Sequence, residues 1–231
     1  MRRNPLRAID LFCKAGGATR GLQLAGYHVT GVDIEPQPRY CGDEFIQADA
    51  MTFPLNGYDF IWASPPCQGH TPMNNDKSRH DATMLRRMRE RLECQGTPWA
   101  LENVVSKSSR AAMGSDAVVL CGSMFDLGYC GDYDRVSQSS TTFYQLQRHR
   151  LVLTGGFKLW PPACEHTEPV VGVYGGHARC RAAKHGGRGT RDPWDHRAVA
   201  SEALEIDWMT LDELSEAIPP AYSKFVAEQL R

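Results

Sequence analysis

The sequence predicts an α/β protein with a doubly wound, mostly parallel sheet. Three observations lead to this fold class. Short apolar segments alternate with segments of helical periodicity over the first half of the chain. A glycine pair, Gly16-Gly17, directly follows the first apolar segment, and acidic residues follow the next two. Ligands of open parallel sheets bind at this carboxyl edge of the strands, so the same observations predict a binding site there.

The first half of the chain contains most of the predicted elements. Strands are predicted over residues 7–12, 28–33, 44–47 and 58–63. A helix is predicted from Gly16-Gly17 to Leu24, and Gly26 ends it. A polar loop over residues 68–80 precedes a second helix over residues 82–94. Its apolar residues at helical spacing are Met84, Leu85, Met88 and Leu92.

The second half of the chain is less regular. Strands are predicted over residues 99–102, 118–121 and 150–153. Residues 157–200 are rich in Gly, Pro, His and Arg, and only residues 170–174 resemble a strand. Thr210 and Glu213 form a capping box at the start of a helix, and Pro219-Pro220 separates it from a last helix over residues 221–230. We therefore expect a core (1–156), a small irregular insertion (157–200) and C-terminal helices that return to the core (201–231).

Composition restricts the class of protein. The chain has 231 residues, of which 42% are hydrophobic, and this suits one globular core with an appendage. Eight cysteines without a C-x-x-C pair are typical of reduced thiols in a cytoplasmic protein. No apolar segment is long enough to cross a bilayer. The net charge is −1, but residues 179–197 hold six basic and two acidic residues, which suits either phosphate contact or a solvated loop.

The predicted carboxyl edge has the features of a nucleoside site. Glycines after the first strand allow close approach of a ligand, and the following helix N-terminus favours a carboxylate. Asp33 ends the second strand, where an acid can bind ribose hydroxyls. Asp49 follows the third strand and could accept a hydrogen bond from an adenine amino group. The G-x-G-x-x-G spacing of dinucleotide sites is absent, which argues against a nicotinamide cofactor.

Reactive residue types are predicted at the same edge. Cys67 follows the fourth strand directly after Pro65-Pro66, and the two prolines fix the direction of the next side chain. Glu102 comes at the end of the next strand. Arg148 and Arg150 precede a later strand and supply two cations. Topology therefore predicts a thiol, a carboxylate and two guanidinium groups at one edge of the sheet.

The motifs resemble those of the cytosine-5 DNA methyltransferases, in the order of that family. They are Asp10-Leu11-Phe12 with Gly16-Gly17, Pro65-Pro66-Cys67-Gln68, Glu102-Asn103-Val104, Arg148-x-Arg150 and Ala217-Ile218-Pro219-Pro220. The match covers about residues 8–154 and 206–228, and the small size is similar to that of phage and prophage members. The resemblance implies the Rossmann-like fold of class I methyltransferases and S-adenosylmethionine as cofactor. It also implies double-stranded DNA as partner.

The resemblance implies a role for each matching residue. Cys67 would attack C6 of a flipped cytosine, so that C5 can accept a methyl group. Glu102 would hold N3 and the amino group, Arg150 would hold O2, and Arg148 would support the thiolate or a phosphate. The implied cofactor contacts are Phe12, Lys14, Ala15, Gly16, Gly17, Asp33, Ile34, Asp49, Ala50 and Pro65. The expected substrate and DNA contacts are Pro66, Gln68, Asn103, Arg179, Arg181, Lys184 and Arg188.

Lys14 departs from the family pattern, which usually has a glycine there. The lysine either points to solvent or meets an extra negative group on the cofactor. Carboxy-S-adenosylmethionine would be such a cofactor, and the product would then be 5-carboxymethylcytosine. An RNA cytosine-5 methyltransferase and a catalytically dead DNA-binding protein are two further alternatives.

Metal, membrane and subunit partners are not expected. Cys164, His166, His177 and Cys180 offer four ligand atoms, but their spacing fits no standard zinc finger, so no metal is predicted. We expect a monomer in the cytoplasm of a bacterium or phage-infected cell, with no membrane contact. The DNA recognition sequence cannot be read from the chain, because base contacts would come from an insertion of unpredicted fold.

Overall fold

The computed structural model describes residues 5–67, 83–131, 142–181 and 195–230. Three predicted substrate contacts, Gln68, Lys184 and Arg188, and the predicted loop over residues 68–80 lie outside these ranges. The chain divides into two compact units. The larger comprises Met1–Val119, His149–Pro161 and Pro220–Arg231, and the smaller comprises Leu120–Arg148 and Pro162–Pro219.

The described elements are as follows in chain order. The strands are β1 (Leu6–Leu11), β2 (Tyr27–Asp33), β3 (Glu44–Gln47), β4 (Phe60–Ala63), β5 (Trp99–Val104), β6 (Val118–Leu120), β7 (Gly128–Gly131), β8 (Thr142–Leu146), β9 (Arg150–Gly155), β10 (Val170–Tyr174) and β11 (His177–Arg181). The helices are α1 (Gly17–Leu24), α2 (Met84–Glu93), α3 (Lys107–Met113), α4 (His196–Leu204), α5 (Leu211–Glu216) and α6 (Pro220–Glu228). A 3₁₀-helix covers Gly122–Phe125.

The larger unit contains the predicted doubly wound sheet. Its strand order is β3-β2-β1-β4-β5-β9-β6. The pairings among β1 to β5 are parallel, and β9 pairs antiparallel with β5. The predicted mostly parallel sheet is confirmed. The predicted first-half elements are found within a few residues of their expected bounds.

Apolar periodicity explains the helices of the larger unit. Leu85, Met88 and Leu92 of α2 are fully buried, and each such side chain contributes about 1.5–3 kcal/mol by leaving water. Helix α6 packs closely on α1, where the Ser223 hydroxyl donates to the Ala18 carbonyl at 2.7 Å. A Cβ atom on Gly21 would stand 2.0 Å from the Pro220 carbonyl oxygen, so only glycine allows this approach.

The smaller unit contains a second sheet that the sequence did not predict. Its strand order is β11-β10-β8-β7, with α4 and α5 in the same unit. The strand predicted over residues 170–174 is present as β10, whereas its partner β11 lies in a part of residues 157–200 that was predicted to be irregular. Tyr174 pairs with His177 across a two-residue turn of Gly175 and Gly176, with φ of 59° and 72°. Positive φ at both positions is the type I′ turn that joins twisted strands, and the Gly-Gly pair was its signal.

The two units divide the chain at other positions than the three predicted segments. Strands β7 and β8 belong to the smaller sheet instead of continuing the core. Of the C-terminal helices, α6 belongs to the larger unit, whereas α4 and α5 belong to the smaller unit. The predicted capping box of α5 is present: the Glu213 backbone N–H donates to Thr210 Oγ1, and the Glu213 carboxylate accepts from the Thr210 backbone N–H. Within the described residues, no helix is long and apolar enough to span a membrane.

Candidate active site at the carboxyl ends of the strands

Strand register brings the predicted site residues to one edge of the larger sheet. A continuous row of paired residues crosses it: Ile46, Val32, Leu11, Ala63, Leu101 and Leu153. Asp33, Phe12 and Glu102 each follow their row residue by one position, and Cys67 follows Ala63 by four. Parallel strands end level here, so residues far apart in sequence share this edge.

The turn after β1 leads into α1 at the carboxyl edge of the sheet. Gly16 has φ 91° at the N-cap of α1, a left-handed conformation that suits glycine. The N-cap residue Gly16 offers no side chain to cap this helix, and the first turn of the helix contains no acidic residue. Phe12 and Lys14 also have positive φ, 62° and 47°. The N–H groups of Phe12, Cys13, Lys14 and Gly16 are bonded within the protein, so an anion such as a carboxylate would meet the first N–H groups of α1 instead.

Asp10 and Thr19 form a buried hydrogen bond between β1 and α1, the elements that this turn joins. The Thr19 hydroxyl donates to Asp10 Oδ2 at 2.6 Å, and both side chains are buried. Burial raises the pKa of Asp10 to about 7, against the opposing effect of the Thr19 hydrogen bond. A Cβ atom on Gly16 would stand 2.8 Å from Cys41 Sγ. Thr19 and Cys41 were not predicted, because nothing in their spacing links them to the turn.

Asp33 lies at the end of β2, as predicted, and its carboxylate shapes the next turn. Oδ2 accepts from the Lys14 backbone N–H and Oδ1 from the Glu35 backbone N–H, each at 3.0 Å. A carboxylate has about four acceptor positions, so these bonds leave capacity for a hydroxyl donor. Ile34 follows with 68% of its surface exposed, an apolar side chain available to a flat ligand.

Lys14 extends away from its backbone toward another charged residue. Its ammonium lies 3.5 Å from the Glu35 carboxylate, and both side chains are half-exposed or more. Such a surface pair is worth roughly 0–1 kcal/mol and can open at little cost. Lys14 is therefore accessible, and its charge is partly balanced by Glu35.

Asp49 and Ala50 follow β3 in a tight turn. Asp49 Oδ1 accepts from the Met51 backbone N–H at 2.8 Å, and the Thr52 and Phe53 N–H groups donate to the Asp49 carbonyl. Arg91 of α2 donates to the Ala50 carbonyl at 2.7 Å and also to the Phe53 carbonyl. These bonds hold the Asp49 backbone in place after β3. The Asp49 side chain therefore lies at the carboxyl edge of the sheet. Arg91 was not predicted.

The turn that carries Cys67 is tied to the neighbouring strand. Asn103 Nδ2 donates to the Pro65 carbonyl at 2.9 Å, and Asn103 is buried. Its Oδ1 accepts from the Val104 N–H at 3.0 Å and the Ser109 hydroxyl at 3.4 Å. These internal contacts argue against the predicted substrate contact by Asn103, whose buried amide instead positions the Pro65-Pro66-Cys67 turn. Pro66 is exposed, and Cys67 is partly exposed and is not in a disulfide.

Glu102 and Arg150 form a buried ion pair at this edge. Arg150 Nε lies 3.0 Å from Glu102 Oε1, with only 14% and 7% of the two side chains exposed. Glu102 lies inside β5 instead of after it, and Arg150 begins the antiparallel β9 beside it. The structure therefore brings together the predicted acid and one of the two predicted cations.

Arg148 has contacts of a different kind. It is buried, and its guanidinium donates to the carbonyls of Ala217 (Nε 2.9 Å, Nη2 2.6 Å), Ser215 (2.8 Å) and Val173. All of these groups belong to the smaller unit. The contacts favour a structural role for Arg148 over the predicted support of the thiolate or a phosphate, because its donors are directed at backbone carbonyls.

Arg179 and Arg181 lie on β11 of the smaller unit. Both point to the face opposite Ala178 and Cys180, which are buried. Arg181 Nη2 is 3.4 Å from Gln147 Oε1, and its guanidinium lies 5.8 Å from the Tyr174 ring centre. The two arginines thus occupy one partly exposed polar face of a sheet, not an irregular loop.

Comparison with known proteins identifies the fold. No protein-family model and no curated protein sequence matches the chain. A prophage-encoded E. coli protein described as a DNA modification methyltransferase matches with a TM-score of 0.58 and 13% identity, over 97% of this chain and 98% of that one. S. pombe Dnmt2 methyltransferase matches with a TM-score of 0.60 and 13% identity, over 97% and 98%.

A third solved structure agrees with these two. The Entamoeba histolytica methyltransferase EhMeth matches with a TM-score of 0.55 and 11% identity, over 99% of this chain and 98% of that one. The fold is the Rossmann-like fold of class I methyltransferases. Sequence identities of this size establish a likeness of fold, and the fold predicted from the sequence is thereby confirmed.

Proposed function

We propose that this protein is an S-adenosylmethionine-dependent DNA methyltransferase that modifies carbon 5 of cytosine. The observation that carries the proposal is the arrangement at the ends of the adjacent parallel strands β4 and β5. Cys67 follows β4 in a turn held by Asn103, and the Glu102–Arg150 ion pair involves a residue of β5 one position beyond Leu101, which pairs with Ala63 at the end of β4. A nucleophile, a carboxylate and a cation are the groups that this reaction requires.

The residues at the carboxyl edge suit S-adenosylmethionine. The start of α1 would offer N–H donors to its amino-acid carboxylate, and Asp33 offers acceptors to ribose hydroxyls. The exposed Ile34 side chain can lie against the adenine ring, and Asp49 can accept from its amino group. When bound, this cofactor supplies an activated methyl group.

Cys67 would begin the reaction by attacking the base. C5 of cytosine is a poor nucleophile, and addition of the Cys67 thiolate to C6 forms an Sγ–C6 bond that makes C5 electron-rich. C5 would then accept the methyl group as the bond between that group and the cofactor sulfur breaks, which would leave a neutral thioether. A proton acceptor removes the C5 proton, the electron pair of that C–H bond re-forms the C5–C6 double bond, and the Sγ–C6 bond breaks. The base must leave the duplex to reach the thiol.

The Glu102–Arg150 pair would hold the base during this addition. Negative charge builds up on the ring as the thiolate adds, and a hydrogen bond from a protonated Glu102 to N3 would offset it. The Glu102 carbonyl-type oxygen would accept from the exocyclic amino group. Arg150 Nε is paired with Glu102, and its terminal nitrogens carry further donors suited to O2. Arg148 would take no part in these steps, because its guanidinium donates to backbone carbonyls.

Asn103 would serve as a positioning residue. Its hydrogen bond to the Pro65 carbonyl is made two positions before Cys67. A misplacement of about 1 Å at a reacting atom can cost about a hundredfold in rate, so a fixed turn matters to the chemistry. A fixed turn also explains why a buried asparagine, rather than an apolar residue, occupies this place in β5.

The Lys14–Glu35 contact bears on the identity of the transferred group. The Glu35 carboxylate lies 3.5 Å from the Lys14 ammonium, and a carboxylated cofactor would have to compete with it for that ammonium. Since the pair is exposed and weak, this competition would cost about 1 kcal/mol or less. However, Glu35 already gives the Lys14 ammonium a carboxylate partner, so Lys14 does not require a carboxylated cofactor. We propose methyl transfer as the main reaction and carboxymethyl transfer as its alternative.

Methyl transfer from labelled S-adenosylmethionine to duplex DNA of mixed sequence tests the proposal. Wild-type protein is expected to label the DNA, and nucleoside mass spectrometry to identify 5-methylcytosine. Cys67→Ala is expected to lower the rate at least about a thousandfold, because no other thiol replaces the nucleophile. Cys94→Ser is the matched control, since Cys94 is an exposed cysteine at the end of α2.

Parallel reactions separate the alternatives. With carboxy-S-adenosylmethionine supplied beside S-adenosylmethionine, dominant 5-carboxymethylcytosine would replace the methyl assignment. Label in transfer RNA but not in duplex DNA would identify an RNA enzyme. A denaturation-resistant complex with 5-fluorocytosine DNA is expected for wild type and not for Cys67→Ala. Absence of this complex and of all label would refute the proposal in favour of a protein that only binds DNA.

A further inference from the structure

Three ligand atoms from distant parts of the chain converge in the smaller unit. Cys121 precedes the 3₁₀-helix, and Cys164 and His166 lie in the coil between β9 and β10. His166 Nε2 is 3.6 Å from Cys121 Sγ and 3.4 Å from Cys164 Sγ. The three ligand atoms all lie within 4.8 Å of one another. Neither cysteine is in a disulfide.

We propose that Cys121, Cys164 and His166 bind a zinc ion in the smaller unit. Two thiolates and one imidazole are soft to borderline ligands, a set that selects zinc over magnesium or calcium. This set differs from the four residues that the sequence offered. Cys164 and His166 remain, Cys121 joins them, and His177 and Cys180 lie on β11 outside the group. His149 lies in the larger unit and is not counted among the ligands.

The distances between the ligand atoms suit one tetrahedral ion. Zinc lies about 2.3 Å from sulfur and about 2.05 Å from nitrogen, so tetrahedral geometry separates these two ligand atoms by about 3.6 Å. The observed separations of 3.6 and 3.4 Å agree with this value. Little movement of the side chains would therefore be needed to place an ion between them.

Hydrogen bonding alone is a poorer account of the same contacts. A neutral imidazole nitrogen that is not protonated has one lone pair, so Nε2 can fully accept from only one thiol. Both sulfurs nevertheless approach the same nitrogen, although the Cys121 thiol has a second acceptor in the Leu146 carbonyl oxygen, 3.6 Å away. The Ser123 hydroxyl is 3.7 Å from Cys164 Sγ and could donate to a thiolate there. A cation among the three atoms satisfies all of them at once.

The proposed ion would fasten a segment that has no regular structure of its own. The residues from Pro161 to Pro169 form neither helix nor strand, yet Gln145 of β8 donates its N–H to the Pro169 carbonyl at 2.8 Å. A bond from Cys164 and His166 to Cys121 closes a loop of more than 40 residues. The free energy of metal binding at such a site adds to the stability of the folded state. This contribution matters most for a unit with a small core.

Metal analysis of the purified full-length protein tests the inference without any assay of methyl transfer. One equivalent of zinc is expected to remain after gel filtration in metal-free buffer. Cobalt(II) added to the zinc-free protein is expected to give thiolate-to-cobalt charge-transfer bands and the intense visible bands of tetrahedral cobalt. Removal of zinc by a chelator is expected to lower the Tm of the wild type.

Variants identify the ligands. Cys164→Ser and His166→Ala are each expected to reduce bound zinc at least tenfold, and Cys164→His is expected to bind cobalt with weaker charge-transfer bands. Cys130→Ser is the matched control, since Cys130 is an exposed cysteine of the same unit that lies outside the cluster, and it should keep full zinc. Cobalt titration of the wild type keeps the inference testable even where a variant fails to fold.

Several results would overturn the inference. A wild-type protein that binds neither zinc nor cobalt at equimolar addition has no such site. A Cys121–Cys164 disulfide in freshly purified protein, detected by peptide mass spectrometry, would assign the cluster to redox chemistry instead. Equal zinc loss in Cys130→Ser and Cys164→Ser would mean that the ion binds elsewhere. All three results are independent of whether the protein methylates DNA.

Discussion

The larger and smaller units place their polar side chains in different ways. In the larger unit, the candidate site residues follow strands that end level, and each is within a few positions of a residue in one paired row. In the smaller unit, the polar clusters join segments far apart in sequence. Cys121 meets His166 across 45 positions, and Arg148 reaches the carbonyl of Ala217 across 69.

This difference separates two kinds of functional residue. The topology of the sheet determines where a residue after a parallel strand lies, so the order of the strands predicts its neighbours. The neighbours of a residue in the smaller unit depend on coil segments and antiparallel pairing. No comparable rule predicts them from the order of the elements. The first kind is suited to the proposed chemistry, and the second kind to holding the unit together.

Loss of charge at Glu102 should give the largest effect among the tests of this comparison. Glu102→Gln keeps the shape but removes the carboxylic acid that would protonate or hold N3, and we expect kcat to fall about a hundredfold or more. Labelled methyl transfer measures this. Glu93→Gln, which alters the exposed Arg89–Glu93 pair of the same unit, should change kcat less than about twofold. Equal rates for both variants would remove Glu102 from the site.

Arg148→Met tests whether the smaller unit uses this arginine for structure. The substitution leaves buried carbonyls of Ala217, Ser215 and Val173 without their donors, and we expect the free energy of unfolding to fall by about 3 kcal/mol. Urea unfolding of Arg148→Met and of Arg148→Lys, expected to be intermediate, measures this. Unchanged stability with a reduced kcat would instead restore the chemical role predicted from the sequence.

Asp10 should make the stability of the larger unit depend on pH. Its folded pKa is about 7 and its ordinary value is 3.8, so the folded state holds the proton more tightly. The stabilising contribution is fully present below pH 3.8 and is lost as pH rises through 7. Asp10→Asn keeps an acceptor for the Thr19 hydroxyl and removes the titration.

Paired unfolding experiments at about pH 5 and about pH 8, on either side of the folded pKa, measure this effect. The wild type should lose more stability than Asp10→Asn between the two values, because the other titrating groups are common to both proteins. Parallel pH profiles for the two proteins would show that Asp10 does not titrate in this range.

The helix caps should give the smallest effects on stability, and each unit has a cap of the same kind to compare. Thr210 caps α5 in the smaller unit, and Ser106 caps α3 in the larger unit through the Ser109 N–H at 3.0 Å. Thr210→Ala and Ser106→Ala should each lower the free energy of unfolding by about 1 kcal/mol. Hydrogen exchange should report the loss at α5 and at α3 respectively. Loss of exchange protection at both helices in either variant would show that the two caps are not local.

The sequence by itself determined the larger unit and its carboxyl edge. Apolar periodicity predicted β1 to β5, α1 and α2, and the order of those elements was enough to bring Cys67, Glu102 and Asp33 to one edge. The capping box of α5 was equally readable, because a cap depends on residues three positions apart. These features depend on local chemistry and on a topological rule.

Only the tertiary structure decided which polar groups face one another. The pairing of Glu102 with Arg150, the tie from Asn103 to Pro65, and the diversion of Arg148 to backbone carbonyls depend on side-chain directions that periodicity does not encode. The meeting of Cys121 with Cys164 and His166 depends on the course of a coil without periodic pattern. Spacing in the sequence constrains neighbours within an element, whereas contacts between distant segments arise from packing of the whole chain.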